Sequence, residues 1–436
     1  MDDLSETVTR PLRKTTWRFY AVILPLAGIV AVGAYAYIVQ LQQGLGVTGM
    51  RDQVSWGMYI SNFVFFIGVS HAGTLISAIL RVSGAEWRKP ITRMAESITV
   101  MAIIVGALFP IIDLGHPDRI LNLLVFGRIQ SPVLWDFISI ATYLTGSLLY
   151  LFLPMIPDLA ALKAQKVGGR VRKRMYGFLS MNWRASPGQR KKLNRAIKIM
   201  AVLIIPIAVS VHTVVSWIFG MTLRVGWHST IFGPYFVVGA ILSGIATIII
   251  AMAIFRRAYH LERFVKPVHF RNLGLLMLAL NVILIYFTLS EYLTAAYGGE
   301  SADVAWITAL SAGPYMYLFW GMVVGGFLAP IFILAVTRVK SIAWTVVAAV
   351  FVNVGMWFER LLIVVPTMAA PQMPVSWASY APTWVEWAIT AGAIAGFALL
   401  YALFSKVFPM VSLWEVSEET PATATAEKPA PEEVAE

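Results

Sequence analysis

The sequence predicts an all-α, polytopic membrane protein. About ten transmembrane helices form two tandem four-helix bundles with one extra helix at each end. Three observations carry that prediction. Ten long apolar stretches lie between Trp17 and Pro409. The 436 residues are 58% hydrophobic and only 13% charged, where soluble domains carry about a quarter charged residues. The Lys and Arg residues between the stretches gather in every second loop.

A helix needs about 20 apolar residues to cross the hydrocarbon core. On that length the spans fall at 17–41, 54–80, 91–112, 132–153, 196–220, 233–255, 270–295, 314–336, 342–365 and 386–408. Arg10, Arg13, Lys14 and Arg18 sit at the first, and Arg81, Arg88, Lys89 and Arg93 follow the second. Lys and Arg crowd the long loop 154–195, then recur at Arg256, Arg257, Arg263, Lys266 and Arg271, and at Arg338 and Lys340. The loop 366–384 has none. The positive-inside rule therefore puts both termini and the basic loops in the cytoplasm, with the chain multi-pass in a bacterial inner membrane. The net charge of +11 is explained by this bias, so no nucleic-acid partner is expected. The first apolar stretch has full span length and no small-residue cleavage site after it, so no cleavable signal peptide is expected. The chain has no cysteine, which excludes disulfides and thiolate-held metal within it.

The organisation follows: a cytoplasmic segment 1–16, a first helix and outer loop 17–53, bundles at 54–220 and 221–365, an outer loop and last helix 366–408, and a disordered tail 409–436. The two bundles rest on a repeat. Trp56 and Gly73 have the spacing of Trp227 and Gly244. Arg93 and Asp113 bracket the third span as Arg271 and Glu291 bracket the seventh, and Pro132 and Pro314 open the fourth and eighth. Units of four helices give a parallel repeat. His71 aligns with Leu242, so only one copy holds both a histidine and an acid. One active site per chain is the expectation.

Ionisable residues inside a bilayer are costly and mark function or pairing. His71 lies among small residues in Gly68-Val69-Ser70-His71-Ala72-Gly73-Thr74-Leu75. It reads either as a buried histidine bonded to a serine or backbone carbonyl, or as a protonating group, since imidazole titrates near working pH. Asp113 opens Asp113-Leu114-Gly115-His116-Pro117. It reads as part of a helix stop or as a carboxylate at a cavity mouth, with Asp136 near the same surface. Glu96, one turn after Arg93, is expected to pair with it. Glu359 and Arg360 read first as a structural pair. Glu96, His212, Glu291, Glu359 and Arg360 are also candidates for a proton route. His71 lies about 25 Å and His212 about 12 Å from the outer ends of their spans at 1.5 Å per residue, which argues against one haem held by both.

Trp56-Gly57, the stretch around His71, Asp113 to Pro117 and Ser131-Pro132-Val133-Leu134-Trp135-Asp136 together resemble the NrfD/PsrC family of quinone-interacting membrane subunits. The resemblance covers spans two to nine. Its ten-span form looks like members of alternative complex III and of menaquinone reductase complexes. It implies that this chain binds no redox cofactor and takes quinone or menaquinone as substrate near the outer face. The iron–sulfur clusters would sit on a partner there, with further membrane or cytochrome subunits in one complex. It implies His71 and Asp113 as the catalytic pair, and Asn62, His71, Asp113 and Asp136 as the quinone-binding residues. Two rival readings are a secondary transporter and a structural anchor that binds no quinone. Transporters have broken helices around a midplane site, whereas the Gly-Pro breaks here lie at span ends.

Overall fold

The computed structural model describes residues 2–371 and 377–417. Those residues form helices and connecting turns, with no β-strand among them. Ten helices are long and apolar enough to cross a membrane: α1 Trp17–Gln43, α2 Met58–Val82, α3 Thr92–Asp113, α4 Pro132–Phe152, α5 Pro187–Gly220, α6 Phe232–Ala258, α7 Pro267–Gly298, α8 Met316–Thr337, α9 Ile342–Ala369 and α10 Trp384–Val407. Their ends alternate between a basic side, with the Lys- and Arg-rich connections, and an opposite side.

One circuit of helix pairings occurs twice. α2 packs on α3, α3 on α4, α4 on α5, and α5 back on α2; α6, α7, α8 and α9 close in the same way. The two rings meet where α2 packs along α6, flanked by α5 on α6 and α9 on α2. α10 pairs with α1 and lies against α2 and α3. Trp56 and Trp227, equivalent in the repeat, touch at this junction with ring centroids 6.0 Å apart. α2, which carries Asn62, Ser70, His71 and Thr74, sits at the centre, whereas the more apolar α1 is almost wholly peripheral and can face lipid.

Lipid offers no hydrophobic drive between helices, so small residues let backbones close up. A Cβ on Gly244 would come within 2.2 Å of the Ala72 Cβ, and one on Gly73 within 2.0 Å of the Ala95 carbonyl oxygen. Gly33 against Gly392 joins α1 to α10, and Gly326 against Gly355 joins α8 to α9. Between Gly321 and Leu328 α8 widens into a π turn while staying continuous. Asn281 Nδ2 donates to the Phe327 carbonyl there at 3.0 Å. The span is therefore not α-helical throughout.

The basic side is more ordered than its composition suggests. The 154–195 connection holds helices Met155–Ala164 and Arg170–Leu179, and α5 begins at Pro187, so Arg190 to Arg195 ride on its first turns. The expected Arg93–Glu96 pair does not form. Arg93 instead reaches Asp158 at 2.6 Å, both fully buried, because the short helix after α4 brings a carboxylate under the end of α3. Asp158 also accepts from the Leu413 and Trp414 amides at 3.1 and 3.0 Å. Burial pushes its carboxyl above the usual range against the pull of Arg93, so the pair fixes position more than it adds stability. Glu415 binds Arg81 at 2.6 Å and Arg88 at 3.3 Å. Residues 409–417 are thus packed against the bundle rather than disordered; the expectation for 418–436 lies outside the described residues.

Two outcomes follow for the purified protein in detergent. Gly244→Ala is expected to cost about 1–3 kcal/mol by overpacking and to lower Tm, whereas Gly28→Ala, with no atom within 4 Å, leaves Tm unchanged. Asp158→Ala strands Arg93 and is expected to cost about 3–5 kcal/mol. Glu86→Ala, which removes an exposed partner of Lys89, is expected to be silent in the same melt.

Candidate functional site

The junction of the two rings holds the deepest polar groups. His71 is fully buried on α2. Its Nδ1 lies 2.9 Å from the Ile67 carbonyl, one turn back, and its Nε2 lies 2.6 Å from the Ala208 carbonyl of α5. A neutral imidazole has one N–H and serves one of these carbonyls; only the imidazolium serves both. His212 stands beside it with centroids 4.0 Å apart, and both of its ring nitrogens lack a hydrogen-bond partner. Counting residues from span ends put the two histidines at different depths, and the contact overturns that. α2 starts at Met58 rather than at residue 54, which removes about 6 Å of the difference at 1.5 Å per residue. The helix ends are also not flush. Rings this close leave no space for a porphyrin between them.

Polar groups continue from this pair in both directions. Tyr143 of α4 stacks 4.8 Å from His71 and donates to the Ser70 carbonyl at 3.2 Å. Tyr143, Ser147 and Tyr150 share one helix face at i, i+4 and i+7. Ser77 lies 3.4 Å from the Tyr150 hydroxyl and donates to Glu96 at 2.7 Å. On the other side Arg360 acts electrostatically on His212 and lies 5.0 Å over the Phe236 ring. Gly239 makes room for it, since a Cβ there would come within 2.8 Å of its Nη2. Arg360 pairs with Glu359, both 1% exposed. Glu359 shares a cavity with Tyr235 and Glu291. Glu291 in turn accepts from Ser229.

The mouth of the first ring lies on the opposite side. Half-buried Asp113 ends α3, and its Oδ1 is buried without a hydrogen bond. Gln40 of α1 donates to the Ile112 carbonyl beside it at 2.8 Å and accepts from the Tyr59 hydroxyl at 2.6 Å. Glu386 of α10, fully buried, interacts electrostatically with Asp113 and Tyr59. It accepts from the Gly49 amide at 2.6 Å, the Thr383 amide at 2.9 Å and the Tyr380 hydroxyl. Tyr380 accepts from the Met58 amide at 2.8 Å. Burial, with Glu386 beside it, holds the Tyr380 hydroxyl well above its usual value. Asn62 donates to Thr390 at 2.7 Å and accepts from the Trp357 indole at 2.8 Å. Asp136 is 7% exposed with Oδ1 unpartnered.

The sequence candidates thus separate into groups. His71 and His212 touch, Glu359 and Arg360 pair, and Glu291 and Glu359 line one cavity. Asn62, Asp113 and Asp136 lie toward the side opposite the basic loops; both ring nitrogens of His71 face carbonyls, and it bonds to none of these three. Reading only ionisable residues inside spans missed Gln40, Tyr59 and Tyr380. Glu386 was passed over because it stands at a span's first residue. Among the described residues no three His, Cys, Asp or Glu side chains gather as metal ligands would.

The polysulphide reductase NrfD family matches residues 46–372. A Halobacterium salinarum protein, provisionally named as a membrane subunit of dimethyl sulfoxide reductase, is 29% identical over 94% of this chain and 96% of its own length. A selenate reductase subunit of Mesobacillus selenatarsenatis is 24% identical over 92% and 97%. The Hdr-like menaquinol oxidoreductase integral membrane subunit of Archaeoglobus fulgidus is 24% identical, also over 92% and 97%. With three quarters of its length matched, and ten helices of membrane-crossing length, the chain belongs to the NrfD family of multi-pass membrane proteins.

Proposed function

We propose that this chain is the quinone- and quinol-binding subunit of a respiratory reductase complex. It exchanges electrons between a menaquinol-type quinol and an iron–sulfur subunit docked on the side opposite the basic loops. The basic side is cytoplasmic, both termini lie there, and the two rings correspond to 54–220 and 221–365. The observation that carries the reading is Asp113: a carboxylate oxygen buried without a partner, at the mouth of an apolar ring, walled by Tyr59, Gln40 and Glu386. Sites for small amphipathic ligands are apolar with a few convergent polar groups. Oxidising a quinol releases two protons and two electrons. Asp113 is placed to take a proton, and electrons leave to a group on another chain. Relatives named as subunits of reductases and of a menaquinol oxidoreductase support that division of labour.

The polar row from Glu291 through Glu359, Arg360, His212 and His71 to Glu96 supports a second role, proton movement across the bilayer. His71 suits a relay because a second carbonyl awaits the second N–H of its charged form. The transporter reading has less support, because α8 keeps its backbone wound through the π turn where transporters unwind theirs around a midplane site.

In the assembled complex, Asp113→Asn is expected to lower quinol-dependent turnover about 100-fold or more, the lower range for losing a positioned proton acceptor, with subunit composition unchanged. Full turnover in that variant would favour the anchor reading. In complexes reconstituted into vesicles, His71→Gln is expected to retain quinol oxidation while abolishing proton movement seen by a trapped pH dye. Unchanged proton movement would remove His71 from the row.

A further inference from the structure

The second ring has its own cavity on the side opposite the basic loops, about 390 Å³ counting its open mouth. Gly226, Tyr235, Glu291, Tyr292, Trp306 and Glu359 are among its walls. Glu291 lies seven residues from the end of α7 and Glu359 ten from the end of α9, so about 10 and 15 Å of helix separate the acids from those ends at 1.5 Å per residue. Water-sized space within the whole cavity is about 20 Å³, about one water, so a ring enters only as the walls part.

Most of the walls are flat or apolar. The Tyr292 and Trp306 rings lie with centroids 5.7 Å apart. Gly226, at φ +78°, lies on the Trp306 ring so closely that a Cβ would come within 2.5 Å of it. Two polar atoms are left without hydrogen bonds. Trp306 is 4% exposed and its Nε1 has no partner. Glu359 Oε2, although 3.0 Å from Arg360 Nη1, receives no hydrogen bond. A buried donor or acceptor left unmade is costly. Here the residues that carry one unmade donor and one unmade acceptor line the same aromatic-walled cavity.

We infer that this cavity is a second headgroup site for a quinol-type ring, accepting from Trp306 Nε1 through one ring oxygen and donating to Glu359 through another. The inference rests on the quinol reading for its ligand class and departs from it in location. It also departs from the expectation of one site per chain, which followed from Leu242 standing where His71 has its place. Ring binding here needs an indole donor and a carboxylate, not a histidine. The proposal concerns binding alone and assigns no electron transfer to this ring.

The test is a fluorescence titration of the quinone-stripped full chain in nanodiscs with 2-heptyl-4-hydroxyquinoline N-oxide, a hydroxylated bicyclic quinol analogue. Two equivalents are expected per chain. Trp306→Phe and Glu359→Gln should each leave one, and Asp113→Asn should remove the other. Trp306→Phe keeps the Glu359–Arg360 pair, so its loss of one equivalent at unchanged Tm separates a lost ligand contact from a lost fold. One equivalent in the wild type, removed by Asp113→Asn and indifferent to Trp306→Phe, overturns the second site and keeps the first. One equivalent removed by Trp306→Phe and indifferent to Asp113→Asn does the reverse. No binding overturns both.

Discussion

A bilayer core supplies no water to satisfy a stranded polar group, so each such group must find its partner inside the bundle. Most of this chain obeys that constraint locally. Ser61, Thr92, Thr142, Thr145, Thr213 and Thr345 turn their hydroxyls back onto carbonyls one turn earlier. Where the π turn of α8 disturbs the regular ladder, Asn281 reaches across to the Phe327 carbonyl. Against that background the atoms that remain unsatisfied carry information. Asp113, Asp136, His212, Glu359, Arg360 and Trp306 each keep at least one such buried atom. His212 and Arg360 fall at the ring junction and Glu359 and Trp306 line the second ring's cavity, while Thr74, Arg81, Ser147, Asn281 and Thr367 keep such atoms elsewhere in the bundle. Exceptions of this kind call for an explanation, and a ligand or a moving proton is the explanation that uses their positions.

The junction depends on how closely α2 and α6 approach. Gly244 against Ala72 sets that approach, and the same seam brings α5 and α9 to either flank. His71 from α2, His212 from α5 and Arg360 from α9 can therefore meet around one point. No single ring could assemble them. The histidine contact belongs to the interface between rings, and a small side chain at Gly244 governs chemistry it never touches.

Much of the fold was legible because its causes are local. Span length, apolar run and loop charge act within one segment, and the ten helices fall within a few residues of where those signals put them, except that α5 starts nine residues early. The missed contacts all bridge segments remote in sequence. Arg93 had Glu96 one turn away but found Asp158 beyond the next span. Glu386 looked like a helix start and became a staple joining Gly49, Tyr380 and, through Tyr380, Met58. Gln40 looked like an incidental polar residue near a span end and holds Tyr59 to the end of α3. Histidine depth failed for a related reason: counting from an end assumes that all ends lie in one plane, and tilted or protruding helices do not share one.

The first and last helices acquire a role by the same logic. Neither belongs to either ring, and α1 faces outward along nearly its whole length. Yet two of the three side chains that wall Asp113 come from them: Gln40 from α1, and Glu386 from α10. Glu386 takes donors from the loops before α2 and α10, so it closes the mouth by tying loops together while its charge acts on Asp113. An eight-helix core alone would leave that carboxylate beside lipid, where neither a hydrogen-bonding wall nor a fixed neighbouring charge could tune its proton affinity. The second ring has no such flanking pair. It closes its cavity instead with its own segments, the short helix Ser301–Ser311 that carries Trp306 and the turn around Gly226. The second ring's cavity and the Asp113 end of the first ring are thus built from different parts. The differing walls then set different chemistries: a carboxylate with a charged neighbour in one, an indole facing an ion-paired carboxylate in the other.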